Sequence, residues 1–149
     1  MKKIALSVCV FLILLSCKSD KDSSGVGVIE PEYVLKKWER AIKNLDYERY
    51  MECEAYPRSR EEFLKIYKDY YFEEIQVKSV EISEKNEIDN NLDRYNRCEV
   101  VFDGIVVNRE NHNAKKRIYG NIDFKKYIDL PKSKQGWLMF NRTLIETNL

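Results

Sequence analysis

The chain has 149 residues, with 26 Lys and Arg against 25 Asp and Glu and a formal net charge of +1. A balance this even leaves no electrostatic footprint for nucleic acid, so no nucleic-acid partner is expected. Five glycines and three prolines exclude a collagen-like or low-complexity chain, and the length suits one domain with a real core.

Met1-Lys2-Lys3 is a short basic start, and the apolar run Ile4 to Ser16 follows it. That run is too short to cross a bilayer, which takes roughly 20 apolar residues, and it has the form of a secretory signal. An ordinary signal peptide with an incidental cysteine is one reading of it. Leu14-Leu15-Ser16-Cys17, however, resembles the lipobox of bacterial lipoproteins. The resemblance implies cleavage between Ser16 and Cys17 and a diacylglycerol thioether, usually with an amide-linked chain, on Cys17. Two or more acyl chains anchor stably where one binds marginally. The partner implied is therefore membrane lipid, and the location is the bacterial cell envelope. Loss of Lys2 and Lys3 takes the net charge from +1 to −1. From Lys18 to Val28 small and charged residues follow without periodicity, as in a flexible tether. The expected organisation is a signal peptide over 1–16, a tether over 17–29 and a folded domain over 30–149.

Pro31 is a favoured first helical residue. Val34, Trp38, Ala41, Ile42 and Leu45 then recur at helical spacing. Asp46 can cap a second helix over "YERYMECEA", which presents Tyr47, Tyr50, Met51 and Glu54 on one face. Tyr56-Pro57 breaks it. Ser59-Arg60-Glu61-Glu62 spells a capping box, opening a third helix with Phe63, Ile66, Tyr67 and Tyr70 as its apolar stripe. From Phe72 the period changes to 2. "EEIQVKSVEIS" predicts a strand with a bulge near Ser79, and "EKNEIDNNLD" predicts a polar loop. "RCEVVFDGIVVNRE" is apolar on both faces, as a strand covered on two sides would be. Asp103-Gly104 offers a tight turn there, but "ENHNA" supplies a better one, so a single strand with a bulge at Gly104 is expected. "KKRIYGNIDFKKY" and "WLMFNRTLIE" complete the strands, with a loop over "IDLPKSKQG".

Helices followed by a run of antiparallel strands make an α+β class, the N-terminal helices packed on one face of a curved sheet. "WERAIKNLDYERYMEC", "FLKIYKDYYFEEIQVKSVEIS" and the late "GWLMF" resemble, in element order and patterning, the nuclear transport factor 2-like (cystatin-like cone) group. The resemblance implies a curved sheet closing a cone over the helices.

Cys9 leaves with the signal and Cys17 carries lipid, so Cys53 and Cys98 remain. In an oxidising compartment they are a candidate disulfide pair. Two separately buried thiols are the alternative, since free cysteine is among the most buried residue types. No CxxC and no His/Cys cluster suggests a metal, and no cofactor motif is present. His112, the only histidine, sits in the "NHNA" turn, which removes Ser-His-Asp and Cys-His hydrolase readings. Asn141-Arg142-Thr143 matches a glycosylation sequon, which a bacterial chain gives no reason to use. Cone-shaped relatives include ketosteroid isomerases and polyketide cyclases, so the resemblance also implies an Asp base with a Tyr donor in an apolar cavity. Asp103 shares a strand face with Val101, Ile105 and Val107, and Asp123 shares one with Tyr119. Alternation equally allows both aspartates to face outward. The expected function is a membrane-held binding or interaction module for an unknown protein or small-molecule ligand. The alternative is a ketosteroid isomerase-like enzyme using Asp103, Asp123 and Tyr119.

Overall fold

The computed structural model describes residues 30–148. Ser16, Cys17, the signal segment and the tether lie outside the described residues. Three helices pack against one antiparallel sheet of four strands, in the order β1-β2-β3-β4, each strand beside its sequence neighbour. The structure is thus α+β. Among the described residues no helix is long and apolar enough to cross a membrane.

Helix α1 (Pro31–Asn44) begins with the proline and buries Val34, Leu35, Trp38, Ala41 and Ile42. It stops where Leu45 takes a left-handed conformation (φ 53°) and its N–H returns to the carbonyls of Ala41 and Ile42. Asp46 caps α2 (Tyr47–Met51) by accepting from the Arg49 amide. Helix α2 is shorter than its periodicity predicts. Beyond Met51 the chain swings alongside the sheet, and Cys53 and Ala55 exchange main-chain hydrogen bonds with Met139 at 2.8 Å. Helix α3 (Arg60–Tyr67) opens on the complete Ser59–Glu62 capping box and buries Phe63 and Tyr67. Tyr70, placed by its spacing on the α3 stripe, is instead the first residue of β1.

Strand β1 (Tyr70–Ile88) is longer than expected, because it continues through the first half of the polar stretch expected as a loop. Only Asp89–Asp93 turn, and Ile88 pairs with Arg94 at the start of β2 (Arg94–Asn108). The tail of β1 is an exposed edge with no face to bury, so no alternation marks it. A register shift does fall between Val77 and Ser79, with two others at Glu73/Gln76 and Ile82/Asn86. Strand β2 runs unbroken through Asp103-Gly104, and the extra residues lie across from it on β1, not at Gly104. A Cβ on Gly104 would sit 3.1 Å from Ile75 Cγ1. Strand β2 is covered on one face for most of its length and on both only at its end, where Val106 and Val107 are both buried. Cys98, Val100, Phe102 and Val106 are buried, whereas Val101 is exposed on the outer face.

Strand β3 (Lys115–Tyr127) sends Ile118, Ile122 and Phe124 inward, and β4 (Trp137–Asn148) adds Met139. Each fully buried side chain of this kind contributes roughly 1.5–3 kcal/mol. Trp38 of α1 is central to the helix–sheet contact, stacked on Phe72 at 5.1 Å and edge-on to Tyr67 at 6.2 Å. Arg109, just after β2, donates to the carbonyls of Ile42, Lys43 and Tyr67, tying the ends of α1 and α3 to the sheet. A second, smaller cluster of Tyr95, Tyr127 and Leu138 forms at one end of the sheet.

Candidate functional site at the Glu54–Arg142 pair

Asp103 and Tyr119 are register partners on β2 and β3, both on the outer face of the sheet. Asp103 pairs there with Lys78 at 2.9 Å, and Tyr119 is 46% exposed. Asp123 also lies on that face. One of its oxygens accepts from Arg97 Nε and Nη2 at 3.1 and 2.9 Å, and the other accepts from Asn141 Nδ2 at 3.1 Å. None of the three lines a space between helices and sheet. Both oxygens of Asp123 are thus occupied by donors of neighbouring strands.

Cys53 and Cys98 are free, buried thiols, so the candidate disulfide is not formed. Cys98 pairs across the sheet with Phe124, Phe124 with Met139, and Met139 with the segment around Cys53. Strands β3 and β4 therefore lie between the two thiols. Burial raises both pKa values, to about 12 for Cys53 and about 11 for Cys98, which makes them inert. Among the described residues no group of three or more His, Cys, Asp or Glu side chains could hold a metal ion.

The chemistry concentrates at two places that no sequence motif marks. The first is Glu54, just past α2, with Arg142 on β4. Arg142 Nη2 donates to both Glu54 carboxylate oxygens, and Trp38 Nε1 donates to Oε1 at 3.0 Å. The guanidinium also lies over the Trp38 ring, 5.1 Å from its centroid. Burial is the largest influence on Glu54 and raises its pKa, while Arg142 and Trp38 pull it down. Burial would lower the pKa of Arg142, but the facing Glu54 carboxylate outweighs it and the pKa is raised. Arg142 Nη1 is buried and has no hydrogen-bond partner. An unpaired buried donor costs about 1–3 kcal/mol. The Arg142 side chain also lines a cleft of about 430 Å³, together with Tyr50, Glu54, Tyr56, Arg58, Glu62 and Asn141 among others. Both oxygens of Glu54 are committed to donors.

The second place is Lys125 on β3, only 2% exposed. Its ammonium lies 4.4–5.4 Å from the ring centroids of Tyr56, Tyr95, Tyr127 and Phe140. It donates to the Tyr56 hydroxyl at 2.8 Å and lies 3.5 Å from Asp89 Oδ2. The cage is filled by the protein's own cation and fastens two segments, those of Tyr56 and Asp89, to the sheet. Asp89 is the other half of that fastening. Burial alone would raise its pKa, but the amides of Asp93 and Asn91 and the Tyr127 hydroxyl outweigh burial and hold the carboxyl below the ordinary aspartate range. A folded-state pKa lower than the unfolded one gives stability that is complete above the unfolded value, about 3.9, and is lost as pH falls through the folded value. The melting temperature should therefore fall in acid, and Asp89→Asn should flatten that acid limb. An equally steep limb in the variant would remove Asp89 from this role.

The chain matches no family model, no curated protein and no solved structure.

Proposed function

We propose that this protein is a bacterial lipoprotein held on an envelope membrane by acylated Cys17, and that its domain, a cone of the nuclear transport factor 2-like kind, binds a small carboxylate ligand. Leu14-Leu15-Ser16-Cys17 after a short apolar run supports the anchor. The observation that carries the binding reading is Arg142. Glu54 engages only Nη2, and Nη1 has no partner although the Arg142 side chain lines an open cleft. A carboxylate seated there would give that nitrogen its acceptor, in a charge-assisted bond that a planar guanidinium makes well. Arg58 on the same cleft adds a second positive group; of the two carboxylates there, Glu54 is held by Arg142 and Glu62 by Ser59.

Acetate is a suitable first probe, titrated into the mature protein while the arginine side-chain N–H resonances are followed. A saturable shift at Arg142 and Arg58 is expected, weakened several-fold by Arg58→Ala and not reproduced by chloride at equal ionic strength. No saturable shift, or an equal shift at every surface arginine, would remove the ligand reading.

A further inference from the structure

The face of β1 that looks toward the helices loses its cover along the strand. Phe72 and Ile75 are buried and Val77 is half-buried, but Val80 and Ile82 are 45% and 54% exposed. Val77, Val80 and Ile82 belong to that face, because their partners on β2, Phe102, Val100 and Cys98, are core residues. Helix α1 runs antiparallel to β1 above it. Lys43 in the last turn lies 3.8 Å from Glu73, and Glu39 further back accepts from the Ile75 N–H at 3.2 Å. Going back along α1 therefore goes forward along β1. Pro31 lies about 12 Å before Glu39, at about 1.5 Å per helical residue. At roughly 3.3 Å per strand residue, that brings the helix start level with Lys78 or Ser79. Glu30 is extended, with φ −67° and ψ 147°. Burial and, next, the Glu30 carboxylate raise the pKa of the Cys98 thiol, so the chain enters α1 close to the position paired with Ile82. The sequence changes character just before that point. Lys18–Gly25 has no apolar side chain, whereas Val26, Val28 and Ile29 follow in close succession.

We infer that Val26–Ile29 seats on the helix side of β1 and covers Val80 and Ile82. Four extended residues span about 13 Å, which is the stretch of strand from Ser79 to Ser83. Val26 and Val28 share one side of such a segment and Ile29 takes the other, so either side it turns to β1 is apolar. The contact continues the core past the end of α1, since Val100 and Cys98, across from the exposed pair, are fully buried. It also shortens the link to the membrane. The free tether becomes Lys18–Gly25, and its reach falls from at most about 40 Å to at most about 27 Å. That shortening rests on the anchor at Cys17 proposed above; the contact itself does not.

Thiol alkylation of the full chain in detergent tests the contact, with peptide masses reporting which site is labelled. Ile82→Cys should be alkylated at least about fivefold more slowly in the parent chain than in one carrying Val28→Ser/Ile29→Ser, because the polar pair releases the segment. Glu81→Cys, on the opposite face of β1, should label at the same rate in both. Buried Cys53 should stay unlabelled throughout, which reports an intact domain; if it labels in the double variant, Val28→Ser alone replaces it, with the same direction expected. Cys17→Ala should leave the ratio unchanged, so the contact and the anchor fail separately. Equal Ile82→Cys rates with and without the serines overturn the inference. So does protection that disappears on dilution, which would give the cover to a second copy.

Discussion

Replacing Glu54 with leucine should destabilise the domain by about 3–5 kcal/mol, because it leaves the Arg142 guanidinium buried without its counter-ion. The loss has three parts. Arg142 Nη2 loses both acceptor oxygens, the Trp38 indole N–H loses its acceptor, and the chain beyond α2 keeps only its main-chain bonds to β4. Urea denaturation reads the change directly, with a lower midpoint at an unchanged slope. The double variant Glu54→Leu/Arg142→Met should recover much of the loss, since an apolar pair of similar volume carries no desolvation penalty. If the two single losses simply add in the double variant, the pair is not coupled and the site is not held together as described.

Gly120→Ala should be nearly as damaging, by ~3 kcal/mol or more, for a reason of backbone approach alone. A Cβ at Gly120 would fall 1.9 Å from the Thr143 carbonyl oxygen and 3.3 Å from Leu144 Cα. Both are main-chain atoms of the neighbouring strand, so no side chain can rotate away and β4 itself must move. The melting temperature should drop by roughly 10 °C, and the change should fall on the β3–β4 seam. A variant as stable as the parent would mean that the two strands do not approach this closely.

The helices were legible because each buries a stripe. Val34, Trp38, Ala41 and Ile42 mark α1, and the Ser59–Glu62 box marks the start of α3 at the right residue. The strands were legible where one face is covered, as in Ile118, Ile122 and Phe124. Legibility failed where burial stops governing the pattern. The tail of β1 is charged and exposed, and therefore looks like a loop, although Asn86, Glu87 and Ile88 pair in register with Asn96, Tyr95 and Arg94. Tyr70 continues the α3 spacing by coincidence and begins a strand.

The candidate site was hidden for a different reason. Glu54 and Arg142 are 88 residues apart, and each alone looks like an ordinary solvated charge. Glu54 shares a helical face with Tyr47, Tyr50 and Met51 in the expected second helix, a weak sign that it points inward. Nothing local distinguishes Arg142 from the other polar residues of β4. Lys125 is hidden more completely, since "DFKKY" carries no apolar alternation around that lysine, and only the fold brings Tyr56, Tyr95 and Phe140 around it. Asp103 and Asp123 show the converse. Each had the neighbours of a catalytic carboxyl in sequence, and alternation left their face open; the ion pairs with Lys78 and Arg97 place them outside.

Membrane attachment through Cys17 underlies the functional proposal, and a single substitution tests it. The full chain, expressed in a bacterium that processes lipoproteins, should partition into the detergent phase on cloud-point extraction. Cys17→Ala should move it to the aqueous phase, with the circular dichroism of the domain unchanged. Two acyl chains bury enough CH₂ groups, at about 0.8 kcal/mol each, for that partition to be nearly complete. A Cys17→Ala protein that stays with the detergent, or a parent chain that never enters it, contradicts lipid anchoring.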